Sequence, residues 1–230
     1  MASQTPKPLK VLYALHPSLD TLDFTGPLEI LSQATHIPTT DSDTADSKVF
    51  HATMTAVSEF TTSNQNCTFR RHIPITEAHA TLADYDVLVI PGGGSPGVLE
   101  GKTEPLDLIK AFAGLPKKAD GGIRYLLSVC TGSLFLGEAG VLDGLSATTH
   151  VRYYGKLREV CESKGKTKVL EERFVVNKVN EEKGLRIVTS GGVSCGMDSC
   201  LWLIGEIAGK ESTERVMEIV QYAWRQGVVV

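Results

Sequence analysis

The sequence predicts an α/β fold, a three-layer sandwich in which a mostly parallel sheet carries helices on both faces. Three observations lead there: wholly apolar runs of strand length, helix-like segments between them, and glycine-rich turns where two of those runs stop. A strand covered on both faces loses the polar alternation of a half-exposed one, and KVLYAL, DVLVI and IRYLLSV all read that way.

The elements follow in order. Residues 9–15 form the first buried strand. Gly26 as a cap, Pro27 at the first helical position and Glu29 in the first turn predict a helix over 27–34, which leaves Asp23 in the loop ahead of it. Thr, Asp and Ser dominate 36–47, a composition that cannot repay the entropy of ordering and reads as a solvated surface loop. A strand is expected over 49–57, with short extended pieces around Phe69 and Ile73. Residues 86–90 form the next buried strand, followed at once by Pro91-Gly92-Gly93-Gly94. Residues 105–113 are expected to be helical, and the strand over 123–129 runs straight into Cys130. GSLFLGEAG has the spacing of a buried helix ending at Gly140, with VLDG as the turn that closes it. Beyond it come an amphipathic helix over 153–163, a hairpin region over 168–179, a strand over 185–189 and a closing helix over 211–224. A single domain is expected over 9–230, preceded by a flexible start over 1–8.

Composition narrows the function classes. With 23 basic against 27 acidic residues, the net charge is -4, and no block of Lys or Arg offers a surface for phosphate backbones or anionic membranes. Nucleic acid and membrane are therefore not expected partners. No segment approaches the roughly 20 apolar residues that span a bilayer, and MASQTPKP has no apolar core of signal-peptide length, so the expected location is cytoplasmic. The five cysteines form an odd set without CxxC pairs or histidines at zinc spacing, which predicts free thiols and no structural metal.

In folds of this class ligands gather at the carboxyl ends of the strands, and three features fall there: the Asp23 loop, the PGGG turn and Cys130. A cysteine where a strand stops and a helix begins faces unpaired amides and the positive end of the helix dipole, both of which favour thiolate. The blander reading is a small core residue. PGGG brings backbone amides close to a ligand, but it lacks the GxGxxG spacing and the later acidic residue of a dinucleotide site, and no cofactor is expected. Asp23 is placed to exchange protons with a thiol or substrate, although an acid in a loop is more often an ordinary surface residue. His150 after ATT reads either as a proton carrier at the pocket or as a structural histidine. No GxSxG elbow is present, which argues against a serine hydrolase.

With those residues in hand, the chain resembles the ThiJ/PfpI superfamily over most of its length. The landmarks are DFTGPLEIL, DVLVIPGGG, SVCTGSLFLGEAGVLDGLSATTH and SGGVSCGMDSCL, in that order. The resemblance implies a flavodoxin-like, class I glutamine amidotransferase-like fold with the cysteine on a nucleophile elbow. Within the superfamily the likeness points to isocyanide hydratases, because Asp23 stands before FTGP and Thr131, rather than His, follows Cys130. It then implies that Cys130 attacks the terminal carbon of an isocyanide, that Asp23 shuttles protons, and that Thr131 positions water on the way to an N-substituted formamide. Amides near Gly93, Gly94 and Thr131 would stabilise charge, while His150, Val193 and Ser194 would line the pocket. A homodimer acting on a small molecule is also implied. The second function class is a redox or ligand sensor that oxidises Cys130 reversibly. The same domain resembles the amino-terminal part of AraC-type regulators, but no basic recognition segment follows it here.

Overall fold

The structure, a computed structural model, describes residues 7–36 and 47–230. Residues 1–6 of the expected flexible start and 37–46 of the expected surface loop lie outside the described residues.

The chain opens with β1 (Leu9–Ala14), α1 (Thr21–Gln33), β2 (Phe50–Ala56) and a small hairpin, β3 (Phe60–Thr62) and β4 (Thr68–Arg70). β5 (Ile73–Pro74), α2 (Ile75–Ala80), β6 (Val87–Ile90), α3 (Ser95–Gly101) and α4 (Leu106–Ala113) follow. Then come β7 (Arg124–Ser128), α5 (Gly132–Glu138), β8 (Ser146–Ala147), α6 (Tyr154–Glu162), β9 (Lys168–Val169) and β10 (Phe174–Val176). β11 (Leu185–Ser190), α7 (Cys195–Val220) and β12 (Val228–Val229) complete it.

Eight strands form one sheet in the order β12-β10-β11-β7-β6-β1-β2-β5, and every pairing in it is parallel except β10 with β11. Its central strands are apolar on both faces because both are covered. Val11, Tyr13, Val87, Val89 and Leu127 face a core shared with α1 and α7, whereas Leu12, Leu88, Ile90 and Leu126 face a second core shared with α2 to α6. Each such fully buried aliphatic side chain contributes about 1.5–3 kcal/mol of transfer free energy, so the centre of the sheet is where the fold is best held. This is the mostly parallel, flavodoxin-like α/β fold that the sequence predicts.

Three expectations need correction. The first helix starts at Thr21, not at Pro27: the Asp20 side chain accepts from the Leu22 amide and caps it, and Pro27 lies inside it. Proline removes one internal hydrogen bond, and burial of Phe24, Ile30 and Leu31 outweighs that loss. Residues 168–179 do not form a hairpin of their own. β9 pairs with β8, and β10 pairs antiparallel with β11. The closing helix is α7, which runs from Cys195 to Val220 with non-helical backbone at Gly209, and so it begins beside the site rather than after it.

Candidate active site

The carboxyl ends of β1, β6, β7 and β11 converge, and the loops that follow them build one site. Cys130 stands just beyond β7 with φ of 55°, a left-handed conformation that costs a side chain other than glycine roughly 1–2 kcal/mol. Four hydrogen bonds hold it there. Its amide is shared between the Ser190 and Gly191 carbonyls at 3.1 and 2.9 Å, and its carbonyl accepts from the Thr149 hydroxyl at 2.9 Å and the Ser133 hydroxyl at 3.1 Å. The elbow is thus pinned by β11, α5 and the turn before α6. Sequence reasoning missed Thr149 and Ser133, whose only signal is a hydroxyl residue in an apolar setting.

Asp23 lies in the first turn of α1, fully buried, and not in a surface loop. Its Oδ2 accepts from the Gly92 amide at 3.1 Å, and its Oδ1 has no hydrogen-bond partner among the described residues. The Cys130 thiol and the Val193 amide lie near the carboxylate. Burial, reinforced by the neighbouring Asp20 carboxylate, pushes the Asp23 carboxyl up to about 7, and the contacts with Cys130, Gly92 and Val193 moderate that rise.

The thiol departs from expectation. Cys130 is 8% exposed, and burial together with the Asp23 charge pushes its pKa up to about 12, although the Thr131 and Val193 amides act in the opposite direction. The helix behind it, α5, spans only 7 residues, and the two amides that favour thiolate do not offset burial and the Asp23 charge. Of the pair, Asp23 therefore gives up its proton first, near neutral pH, while the proton on the Cys130 sulfur is held more tightly.

The other candidates divide. Thr131 Oγ1 accepts from the Gly93 amide at 2.9 Å, which ties the PGGG turn to the elbow and leaves that amide unable to serve a substrate. The amides that face the sulfur are those of Thr131 and Val193. Val193 has φ of 48°, and this turn of the backbone follows Gly191-Gly192 directly. Gly93, Gly94, Thr131, His150 and Val193 all line a cavity of about 370 Å³ with Cys130. His150 Nδ1 accepts from the Arg152 amide at 3.2 Å, so this residue is structural on one side and open to the cavity on the other. Ser194 does not line that cavity. Its hydroxyl accepts from Arg173, which also binds the buried Asp198 carboxylate. Asp20, Asn64, Ser95, Pro96 and Tyr153 complete the wall, and sequence reasoning singled out none of them. Among the described residues no group of three or more His, Cys, Asp or Glu is placed to hold a metal, and no helix is long and apolar enough to cross a membrane.

A parallel α/β sheet with a cysteine on a positive-φ elbow and a buried carboxylate beside it defines the class as a cysteine-elbow protein of flavodoxin-like fold. The chain belongs to the DJ-1/PfpI family, whose sequence profile matches residues 9–206. It is 28% identical over 225 residues to the isonitrile hydratase of Pseudomonas putida, an alignment spanning 94% of this chain and 79% of that protein. Among solved structures it is similar to a ThiJ/PfpI family protein from Pseudomonas syringae, with a TM-score of 0.71, 21% identity and coverage of 96% of this chain and 78% of the other. Schizosaccharomyces pombe DJ-1 superposes with a TM-score of 0.67 at 20% identity, covering 94% of this chain and all of the other (100%). At these identities the two structures speak for the fold.

Proposed function

We propose that the chain is a cysteine-dependent hydratase that adds water to an isocyanide, giving an N-substituted formamide. One observation carries this reading: the Cys130 thiol lines a cavity and lies beside the buried Asp23 carboxyl, which can take its proton, with Thr131 where a histidine would make a different pair.

The chemistry uses that proton twice. Asp23 takes the thiol proton as Sγ bonds to the terminal isocyanide carbon, and it delivers the proton to that same carbon, leaving a thioimidate R–N=CH–S. Water then adds to the carbon, assisted by Asp23 and positioned by Thr131. The C–S bond breaks, nitrogen keeps one proton, sulfur regains the other, and R–NH–CHO leaves. The Thr131 and Val193 amides stabilise negative charge on sulfur as the proton departs.

Reversible oxidation of Cys130 in a sensor is the competing reading. Both fates draw on the same thiolate, so mass spectrometry after mild peroxide beside the activity assay separates them: oxidation without hydration would favour the sensor. We further read residues 9–230 as one functional unit, acting in the cytoplasm as a homodimer; sedimentation at micromolar concentration giving only monomer would remove the dimer. The experiment for the activity is incubation of purified protein with simple aryl and alkyl isocyanides. Formamide is the expected product, and none from any of them rejects the hydratase reading.

A further inference from the structure

The wall of the cavity over Cys130 contains one carboxylate, that of Asp20, and among the described residues no lysine or arginine. Asp20 is fixed in place. Its Oδ1 accepts from the Leu22 amide at 3.3 Å, its Oδ2 accepts from Gln65 Nε2 at 3.0 Å, and its own amide donates to the Gly92 carbonyl at 2.9 Å. Asp20 caps α1, so the positive end of that helix already faces a carboxylate. Asp23 stands behind the same wall as a further carboxylate, and Asn64, Ser95, Thr131 and Tyr153 add only neutral polar groups. His150 and Tyr153 are the remaining titratable side chains of the lining besides Cys130.

We propose that Asp20 is a charge filter: the site accepts small molecules that are neutral or cationic near the reacting atom and rejects those carrying a carboxylate or phosphate there. This rests on Cys130 as the reacting nucleophile of the proposed hydratase, but the selection acts on any electrophile that reaches the sulfur. A second negative charge entering this cavity meets Asp20 and Asp23 with no lysine or arginine in the wall to pair with, a repulsion that added salt weakens.

The test has two arms. In the first, kcat/KM is compared for isocyanoacetate and its methyl ester, which differ in charge and little in reach. The ester is expected to be favoured by at least about tenfold at low salt. The Asp20→Asn variant should narrow that gap several-fold. Asparagine caps a helix as well as aspartate does, so the fold is kept. In the second arm Cys130 is alkylated by iodoacetamide or iodoacetate and followed by peptide mass spectrometry. Sγ bonds to the CH2 carbon, the C–I bond breaks, iodide leaves and the thiol proton passes to solvent. The amide-to-acid rate ratio, divided by that for N-acetylcysteine, should exceed one and fall towards one in Asp20→Asn and with added salt. A wild-type ratio equal to that of the free thiol, or one unchanged in Asp20→Asn, overturns the filter. Failure to consume any isocyanide, with the alkylation ratios as expected, removes the hydratase reading and leaves the filter standing.

Discussion

The Gly92 amide donates to Asp23 Oδ2 at 3.1 Å, and the space beside it admits no side chain. A Cβ on Gly92 would lie 2.6 Å from the Thr131 amide nitrogen and 2.8 Å from both Asp23 Oδ2 and Thr131 Oγ1. Strand β6 therefore delivers a glycine where α1 and the elbow come closest. Gly92→Ala should separate Asp23 from Thr131, lower kcat about 10- to 100-fold and destabilise the fold by about 1–3 kcal/mol. Steady-state kinetics and urea unfolding check this, and wild-type values in both would contradict the packing described.

Asp23 should trade stability for activity. Its carboxyl is raised to about 7 in the folded protein against about 3.9 unfolded, so between those pH values the native state binds more protons. Stability accordingly falls as pH rises through that window and is flat above it. Asp23→Asn should remove this loss, giving little gain at pH 4 and a gain of up to a few kcal/mol at pH 8. In the wild type kcat/KM should rise with an apparent pKa near 7, as the carboxylate becomes free to accept the thiol proton. The variant should lose that limb and about 10²- to 10⁴-fold in rate. Thermal melts and rate profiles across pH measure both.

The elbow conformation gives a stability test free of catalysis. At φ of 55°, Cys130→Gly relieves backbone strain that Cys130→Ala retains. The glycine variant should be more stable than the alanine variant by about 1 kcal/mol in denaturant unfolding. The reverse order would mean that the site is not held in a left-handed turn.

Thr131 is expected to act through its hydroxyl. Thr131→Val leaves the Gly93 amide without its acceptor, at a cost of about 1–3 kcal/mol, and frees the PGGG turn from the elbow. Thr131→Ser keeps the acceptor and should restore most of the stability and rate. Equal behaviour of the two variants would assign Thr131 to packing alone.

Much of this site was legible in the residues, for local reasons. The strand over 86–90 and the one ending at Cys130 announce themselves because both faces of the sheet are covered. Cys130 stood out because an apolar strand runs into it and Thr-Gly follows. Asp23 reads from the sequence as a loop residue, because Gly26-Pro27 looks like a helix start. The true start depends on Asp20 as cap and on Phe24, Ile30 and Leu31 meeting the α1 side of the core. The raised thiol was not legible at all. Its cause is burial beside a carboxylate 107 positions away in the chain, and only the convergence of β1 with β7 through β6 creates that neighbourhood. Asn64 and Tyr153 belong to the wall for the same reason: a hairpin and a short helical turn bring them there, and no local pattern marks them.

The most direct measurement is isocyanide consumption by Cys130→Ala, made alongside a melting curve and detection of formamide. The expected result is a folded protein that yields formamide no faster than buffer, with the wild type turning over under the same conditions. Turnover by the folded alanine variant at a rate close to the wild type would contradict the central role of the sulfur.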